Sequence, residues 1–165
     1  MRIQIRPAEP THIDGVQRVA DRAWRSAHES IVGAETVDEF LTKYYDSESF
    51  LSLIANDDAV FAVAARNDRD IVGFVSATPD DDCSARYHLG RIYIHPEQWG
   101  KGVGQRLLQY AEQCIEARDG KRITLGVMAE NERAISFYGS AGYERASEFY
   151  DERIDTRGYE YRKSI

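Results

Sequence analysis

The chain has 165 residues, 42% of them hydrophobic and 30% charged, which suits one globular domain with a buried core and excludes a disordered chain. Its 28 acidic against 21 basic residues give a formal net charge of -7, which excludes the basic footprint of a general nucleic-acid binder. No apolar run reaches the roughly 18 residues of a membrane span, residues 1–7 lack the apolar core of a signal peptide, and Cys83 and Cys114 are too few for a disulfide scaffold or a zinc cluster.

These features point to a single domain over residues 1–165 in a reducing cytoplasm, with no nucleic-acid or membrane partner. The acidic excess reads as ordinary solubility, or as a surface suited to high salt or to a cationic substrate.

In chain order, residues 2–6 alternate Arg-Ile-Gln-Ile-Arg, the period of a half-buried strand, and Pro7 and Pro10 end it. Thr11 can cap a helix running to about His28, with Ile13, Val16, Ala20, Ala23 and Trp24 on one side. Residues 36–54 suit one or two further short helices, with Phe40, Leu41, Tyr44, Phe50, Leu51 and Ile54 as their apolar positions. The continuous apolar run at 59–65 reads as a buried strand. Asn67, Asp68, Arg69 and Asp70 make a polar turn into a second strand at 71–77, so 59–77 is a predicted hairpin.

Pro79 and the acidic residues 80–82 form a loop. A strand follows at 87–95 and Pro96 stops it. Leu107, Leu108, Ala111, Cys114 and Ile115 share one face of the next helix, with Gly120 as its C-terminal stop. Residues 122–128 are a strand, 131–140 a short helix, and 142–150 and 157–163 two strands rich in Tyr and Phe. This order predicts an α/β fold of the α+β type: a mixed, mostly antiparallel sheet of about six to seven strands flanked by about four helices.

Two segments carry chemistry. The first is His95-Pro96-Glu97-Gln98-Trp99-Gly100-Lys101-Gly102-Val103-Gly104, between a predicted strand and a predicted helix. Glycine at every second position leaves backbone N–H groups uncovered, and a helix N-terminus adds unsatisfied donors and a partial positive charge. Together they make an anion cradle, to which Lys101 adds a point charge, although such a turn can also be no more than a tight corner. The spacing Gly-x-Gly-x-Gly matches neither the Walker pattern nor the dinucleotide fingerprint. The second segment runs from Asn131 to Tyr143. Alone, Asn131 reads as an N-cap and Phe137 and Tyr138 as core residues.

Together the two segments resemble the GNAT superfamily of N-acetyltransferases. The resemblance covers the whole chain in element order and is sharpest over residues 87–143. The family signature Gln/Arg-x-x-Gly-x-Gly/Ala is matched at Gly102 and Gly104, while Trp99 stands at its first position and Gln98 one place early. The later pattern, Asn, then a Phe-Tyr pair, then Gly-aromatic, is matched by Asn131, Phe137, Tyr138, Gly142 and Tyr143.

The resemblance implies acetyl-CoA as co-substrate, with no metal and no covalent enzyme intermediate. It implies a GNAT-like sheet in which the strand before the cradle splays from the next and holds the pantetheine arm through the backbone of Ile92, Tyr93 and Ile94. The pyrophosphate is then expected on the N–H groups of Trp99, Gly100, Lys101, Gly102, Val103 and Gly104, with Asn131 and Phe137 beside the arm. Tyr138 matches the tyrosine that protonates the departing thiolate; a phenol pKa near 10 keeps that proton available.

His88 falls where the family often carries a glutamate base, and its type suits that task; a water chain is the other route, and a solvent-facing strand histidine the structural reading. His95 reads as structural beside Pro96, and neither cysteine as a nucleophile.

The expected acceptor is a primary amine on a small molecule or a peptide, met by Trp24, His28, Tyr44, Tyr45, Phe149 and Tyr150, with nearby acids suited to a cation. The aromatic C-terminal strands are the expected surface of a homodimer. Two alternatives use the same residues: a non-catalytic acyl-CoA sensor, and a binder of another phosphorylated ligand through the glycine turn alone.

Overall fold

The computed structural model describes residues 2–67 and 70–165. Part of the predicted polar turn, at Asp68 and Arg69, lies outside the described residues. The strands are β1 (Gln4–Pro7), β2 (Val60–Ala65), β3 (Ile71–Pro79), β4 (Arg86–Ile94), β5 (Arg122–Met128), β6 (Glu144–Asp151) and β7 (Thr156–Ser164). They form one seven-stranded sheet in the order β1-β2-β3-β4-β5-β7-β6. Among these pairs only β4 and β5 run parallel, and the crossover between them is a helix.

The helices are α1 (Ile13–Val32), α2 (Ala34–Tyr44), α3 (Ser47–Ala55), α4 (Val103–Ala117) and α5 (Glu132–Ser140), five where about four were expected. The region 34–55 divides in two because Asp46 caps a new helix: its carboxylate accepts the Ser49 N–H at 3.2 Å.

Two predicted helix ends move. Thr11 is no cap, since it sits inside a 3-10 turn (Pro10–His12) in which the Glu9 N–H donates to His12 Nδ1 at 3.0 Å. α1 also runs beyond His28, because Ile31 and Val32 keep packing until Gly33, at φ 93°, stops it. At the end of α4 the left-handed residue is Asp119, φ 63°, while Gly120 is required by space: a Cβ there would stand 2.3 Å from the Ile115 side chain.

The sheet separates two hydrophobic cores. β2 shows why its sequence is an unbroken apolar run: Val60, Ala62 and Ala64 pack toward α4, and Phe61, Val63 and Ala65 toward α1–α3. On the α4 side Leu107, Leu108, Ala111 and Ile115 bury the predicted face, and Cys114 is half-buried beside them. On the other side Phe50 and Phe74 are fully buried, each contributing about 1.5–3 kcal/mol by burial. β6 stands at the sheet edge, with Phe149 and Tyr150 exposed. No helix among the described residues is long and apolar enough to cross a membrane.

Candidate active site

β4 and β5 pair only at their starts, through Arg86 with Arg122, Tyr87 with Ile123 and His88 with Thr124. Beyond that rung β4 stays on β3 while β5 stays on β7 as far as Met128, so the two strands diverge. A bulge marks the divergence: Leu89 faces Ala77, Arg91 faces Ser76, and Gly90 between them has no register partner. His95 N–H donates to the Val72 C=O at 2.8 Å, one residue beyond the Ile94–Gly73 pair. Alternation along the antiparallel ladder therefore turns the N–H and C=O of Ile92 and Ile94 away from β3 and into the gap. Tyr93 sends its ring the other way, among Trp24, His28, Tyr45 and Phe74. A cavity of about 960 Å³ fills the divergence.

At one end of the cavity the chain enters α4 through Gly100 and Gly102, whose φ values of 77° and 83° favour glycine. A Cβ at either position would meet nothing within 4 Å, so the turn is open. Gly104 is closer, since a Cβ there would stand 3.4 Å from the Phe137 ring. The first N–H groups of α4 have no intrahelical acceptor and lie at the positive end of a 15-residue helix. Open glycine backbone, free donors and a strand edge with unpaired polar groups fit a pyrophosphate followed by an amide-bearing arm.

Trp99, at the signature's first position, turns inward: its indole N–H donates to the Ile94 C=O at 2.8 Å. The guanidinium of Arg133 lies 4.2 Å over its ring. Arg133 lines the cavity, whereas Lys101 is exposed and does not. The sequence reading missed Arg133; its signal was its place on the first turn of α5, two residues after Asn131. Asn131 caps that helix, its side-chain oxygen accepting the Ala134 N–H at 3.1 Å, and also faces the cavity with Phe137 and Tyr138.

Tyr138 is buried in the cavity wall, its ring centroid 5.2 Å from that of Phe137. Burial, and secondarily Tyr45, raise its pKa above the ordinary phenol value, so it keeps its proton at neutral pH. His88 lies at the last paired rung, with Nδ1 3.3 Å from Thr124 Oγ1 and one side open to solvent. Surrounding protein lowers its pKa, against the opposing pull of Glu160 and Asp80, so the imidazole is neutral at physiological pH. His95 is structural: its Nδ1 accepts the Glu97 N–H at 3.2 Å.

The far end of the cavity is aromatic. Trp24, His28, Tyr44, Tyr45 and Phe149 line it as expected, while Tyr150 points elsewhere and is 55% exposed. Phe40 joins them, stacked on Trp24 at 4.5 Å, and the Trp24 indole N–H donates to Tyr45 Oη at 3.2 Å. His28 is buried against Trp24, burial lowers its pKa to about 4, and its Nδ1 has no hydrogen-bond partner. The acids near 80–82 stand outside the cavity, and the Asp80 carboxylate accepts from Arg86 Nε at 3.0 Å and from the Asp82 N–H at 2.9 Å. Asp151 and Arg153, unnoticed in the sequence, line the cavity instead. Cys83 and Cys114 are not part of its wall.

Among the described residues no group of three or more His, Cys, Asp or Glu is placed to hold a metal ion. Comparison with known proteins agrees with this geometry. The acetyltransferase (GNAT) family profile matches residues 20–143. A spermidine N(1)-acetyltransferase of Thermoplasma acidophilum is 26% identical over 147 residues, 87% of this chain and 89% of the relative. The crystal structure of a PaiA N-acetyltransferase from Thermoplasma acidophilum in complex with coenzyme A superposes with a TM-score of 0.88 at 24% identity, covering 100% of both chains. Ard1 from Thermoplasma volcanium superposes with a TM-score of 0.75 at 19% identity, covering 100% of this chain and 99% of that one. Strand gap, glycine cradle, element order and family profile coincide, and the chain belongs to the acetyltransferase (GNAT) family, enzymes that move an acetyl group from acetyl-CoA to an amine.

Proposed function

We propose that this chain binds acetyl-CoA in the gap between β4 and β5 and transfers the acetyl group directly to a primary amine on a small molecule. The carrying observation is a parallel strand pair that opens immediately after His88, onto an uncovered α4 N-terminus. The spermidine acetyltransferase name of one relative supports a small-molecule amine as acceptor. Backbone N–H groups of residues 99–104 hold the pyrophosphate, with Arg133 rather than Lys101 as the nearby cation. The main-chain groups of Ile92 hold the arm; the Ile94 C=O is already taken by Trp99, and the Ile94 N–H is left for the reacting carbonyl. The thioester supplies the acetyl group.

The remaining steps belong to the chain. The amine must be neutral to attack, and His88, neutral in its setting, receives its proton directly or through water. The Ile94 N–H faces the gap, where negative charge develops on the carbonyl oxygen. As the acid, the Tyr138 hydroxyl, kept protonated by burial, donates a hydrogen bond to the departing sulfur; the thiolate is less basic than a buried phenolate and takes its final proton from solvent.

The test pairs binding with turnover. Acetyl-CoA raises the melting temperature and ATP and NAD do not; a ligand at a hundredfold excess over Kd adds about 2.7 kcal/mol. Tyr138→Phe keeps that shift and lowers kcat about a hundredfold. A shift with ATP or NAD alone overturns the cofactor, and a Tyr138→Phe variant of undiminished kcat overturns the acid. Binding without transfer to any amine selects the sensor alternative.

A further inference from the structure

The charges around the cavity bear on what the acceptor is. Among the described residues lining it there are four arginines, Arg91, Arg133, Arg153 and Arg157, and a single carboxylate, Asp151. Both oxygens of that carboxylate are already engaged. Arg153 Nε donates to Oδ1 at 3.0 Å, its terminal nitrogen to Oδ2 at 2.8 Å, and its backbone N–H to Oδ1 at 3.0 Å. The Asp151 side chain is only 13% exposed.

The aromatic faces are occupied in the same way. The Arg153 guanidinium lies 5.2 Å and 5.3 Å from the Phe40 and Tyr44 ring centroids, and that of Arg91 lies 4.7 Å from that of Tyr45. A second ammonium on the acceptor would find no free carboxylate, and the faces of Phe40, Tyr44 and Tyr45 already have a guanidinium beside them. Burying such a charge unpaired is strongly unfavourable. His28, neutral in this wall, offers no countercharge. What the arm does offer is flat apolar surface, from Trp24, Phe40, Phe149 and Ile154, and guanidinium planes on which a ring can stack.

Resting on the acetyltransferase reading above, we propose that the acceptor is a monoamine carrying an aromatic group, an arylalkylamine, whose ring lies in the arm between α1–α2 and the β6–β7 hairpin. The Asp151–Arg153 pair closes the end of that arm against Phe40 and Tyr44 and excludes polyamines by charge. The acidic excess of the chain does not extend into this arm, whose lining carries one carboxylate, Asp151, among the described residues.

The test measures free-thiol release from acetyl-CoA with phenethylamine, tyramine and tryptamine against putrescine and spermidine. The expected kcat/KM for the best arylalkylamine is at least tenfold above that for spermidine. Tyr44→Ala, on the rim, is expected to raise KM for that amine about fivefold while leaving KM for acetyl-CoA unchanged. Spermidine or putrescine equal to or better than every arylalkylamine overturns the proposal and leaves the acetyltransferase intact. Turnover of neither class, while acetyl-CoA still raises the melting temperature, also overturns it. An acetyl-CoA response that is itself absent is a failure of the underlying reading. Equal KM in Tyr44→Ala and the parent removes the aromatic arm from the account.

Discussion

His28 illustrates how one side chain serves both the wall and the stability of the domain. Its pKa falls to about 4 because the ring is buried against Trp24 with no acidic partner. The unfolded chain binds that proton near pH 6.5 and the folded chain only near pH 4. Between these values the unfolded state holds more protons, so stability rises with pH there and is lost on acidification. The contribution is present in full above about pH 6.5 and amounts to about 3 kcal/mol. Urea unfolding across pH 6.5 to 4 is expected to show this decline, and His28→Gln to flatten it; an unchanged slope in the variant would remove His28 as the cause.

At this scale the sequence spoke unevenly. Tyr138, Asn131 and Gly102 were legible because their spacing belongs to a motif. Arg133 and the Asp151–Arg153 pair were not, because what they do depends on stacking over Trp99, Phe40 and Tyr44, residues far away in the chain.

Among the elements, the turn into α4 is the most constrained. Gly102 is its N-cap at φ 83°, a left-handed value that costs an L-residue about 1–2 kcal/mol. Gly102→Ala is expected to destabilise the fold by about that amount and to weaken acetyl-CoA binding measured by calorimetry, because relief of the strain rotates the first N–H groups of the helix. Full-strength binding in a destabilised variant would separate the turn from the cofactor.

The strands were legible from their periods, β2 above all, since its two buried faces leave no polar position. The outward or inward sense of β6 was not. Phe149 and Tyr150 are neighbours of the same type, yet only Phe149 lines the cavity. The reason lies across the sheet: Gly126 and Gly158 leave room for its ring, and a Cβ at Gly158 would stand 2.6 Å from it. The helix count also differed, because the Asp46 cap restarts the helix within a single apolar pattern.

For the whole molecule, two hydrophobic cores clamp a sheet that is continuous everywhere except between β4 and β5. Closing that gap would give both strands a full ladder. The fold instead leaves the main-chain groups of Ile92 and the Ile94 N–H without a strand partner, a cost that binding can offset, while the Ile94 C=O accepts from Trp99. The chain carries a net charge of -7, yet Arg133 stands over Trp99 beside the glycine turn, so an anionic co-substrate meets a cation there.

Hydrogen exchange with and without acetyl-CoA tests this reading of the gap most directly. The expected result is slowed exchange at the amides of Ile92 and Ile94 and of residues 100–105, with the β2–β3 hairpin unchanged. Binding that raises the melting temperature yet leaves those amides as fast as before would place the cofactor elsewhere and contradict the account.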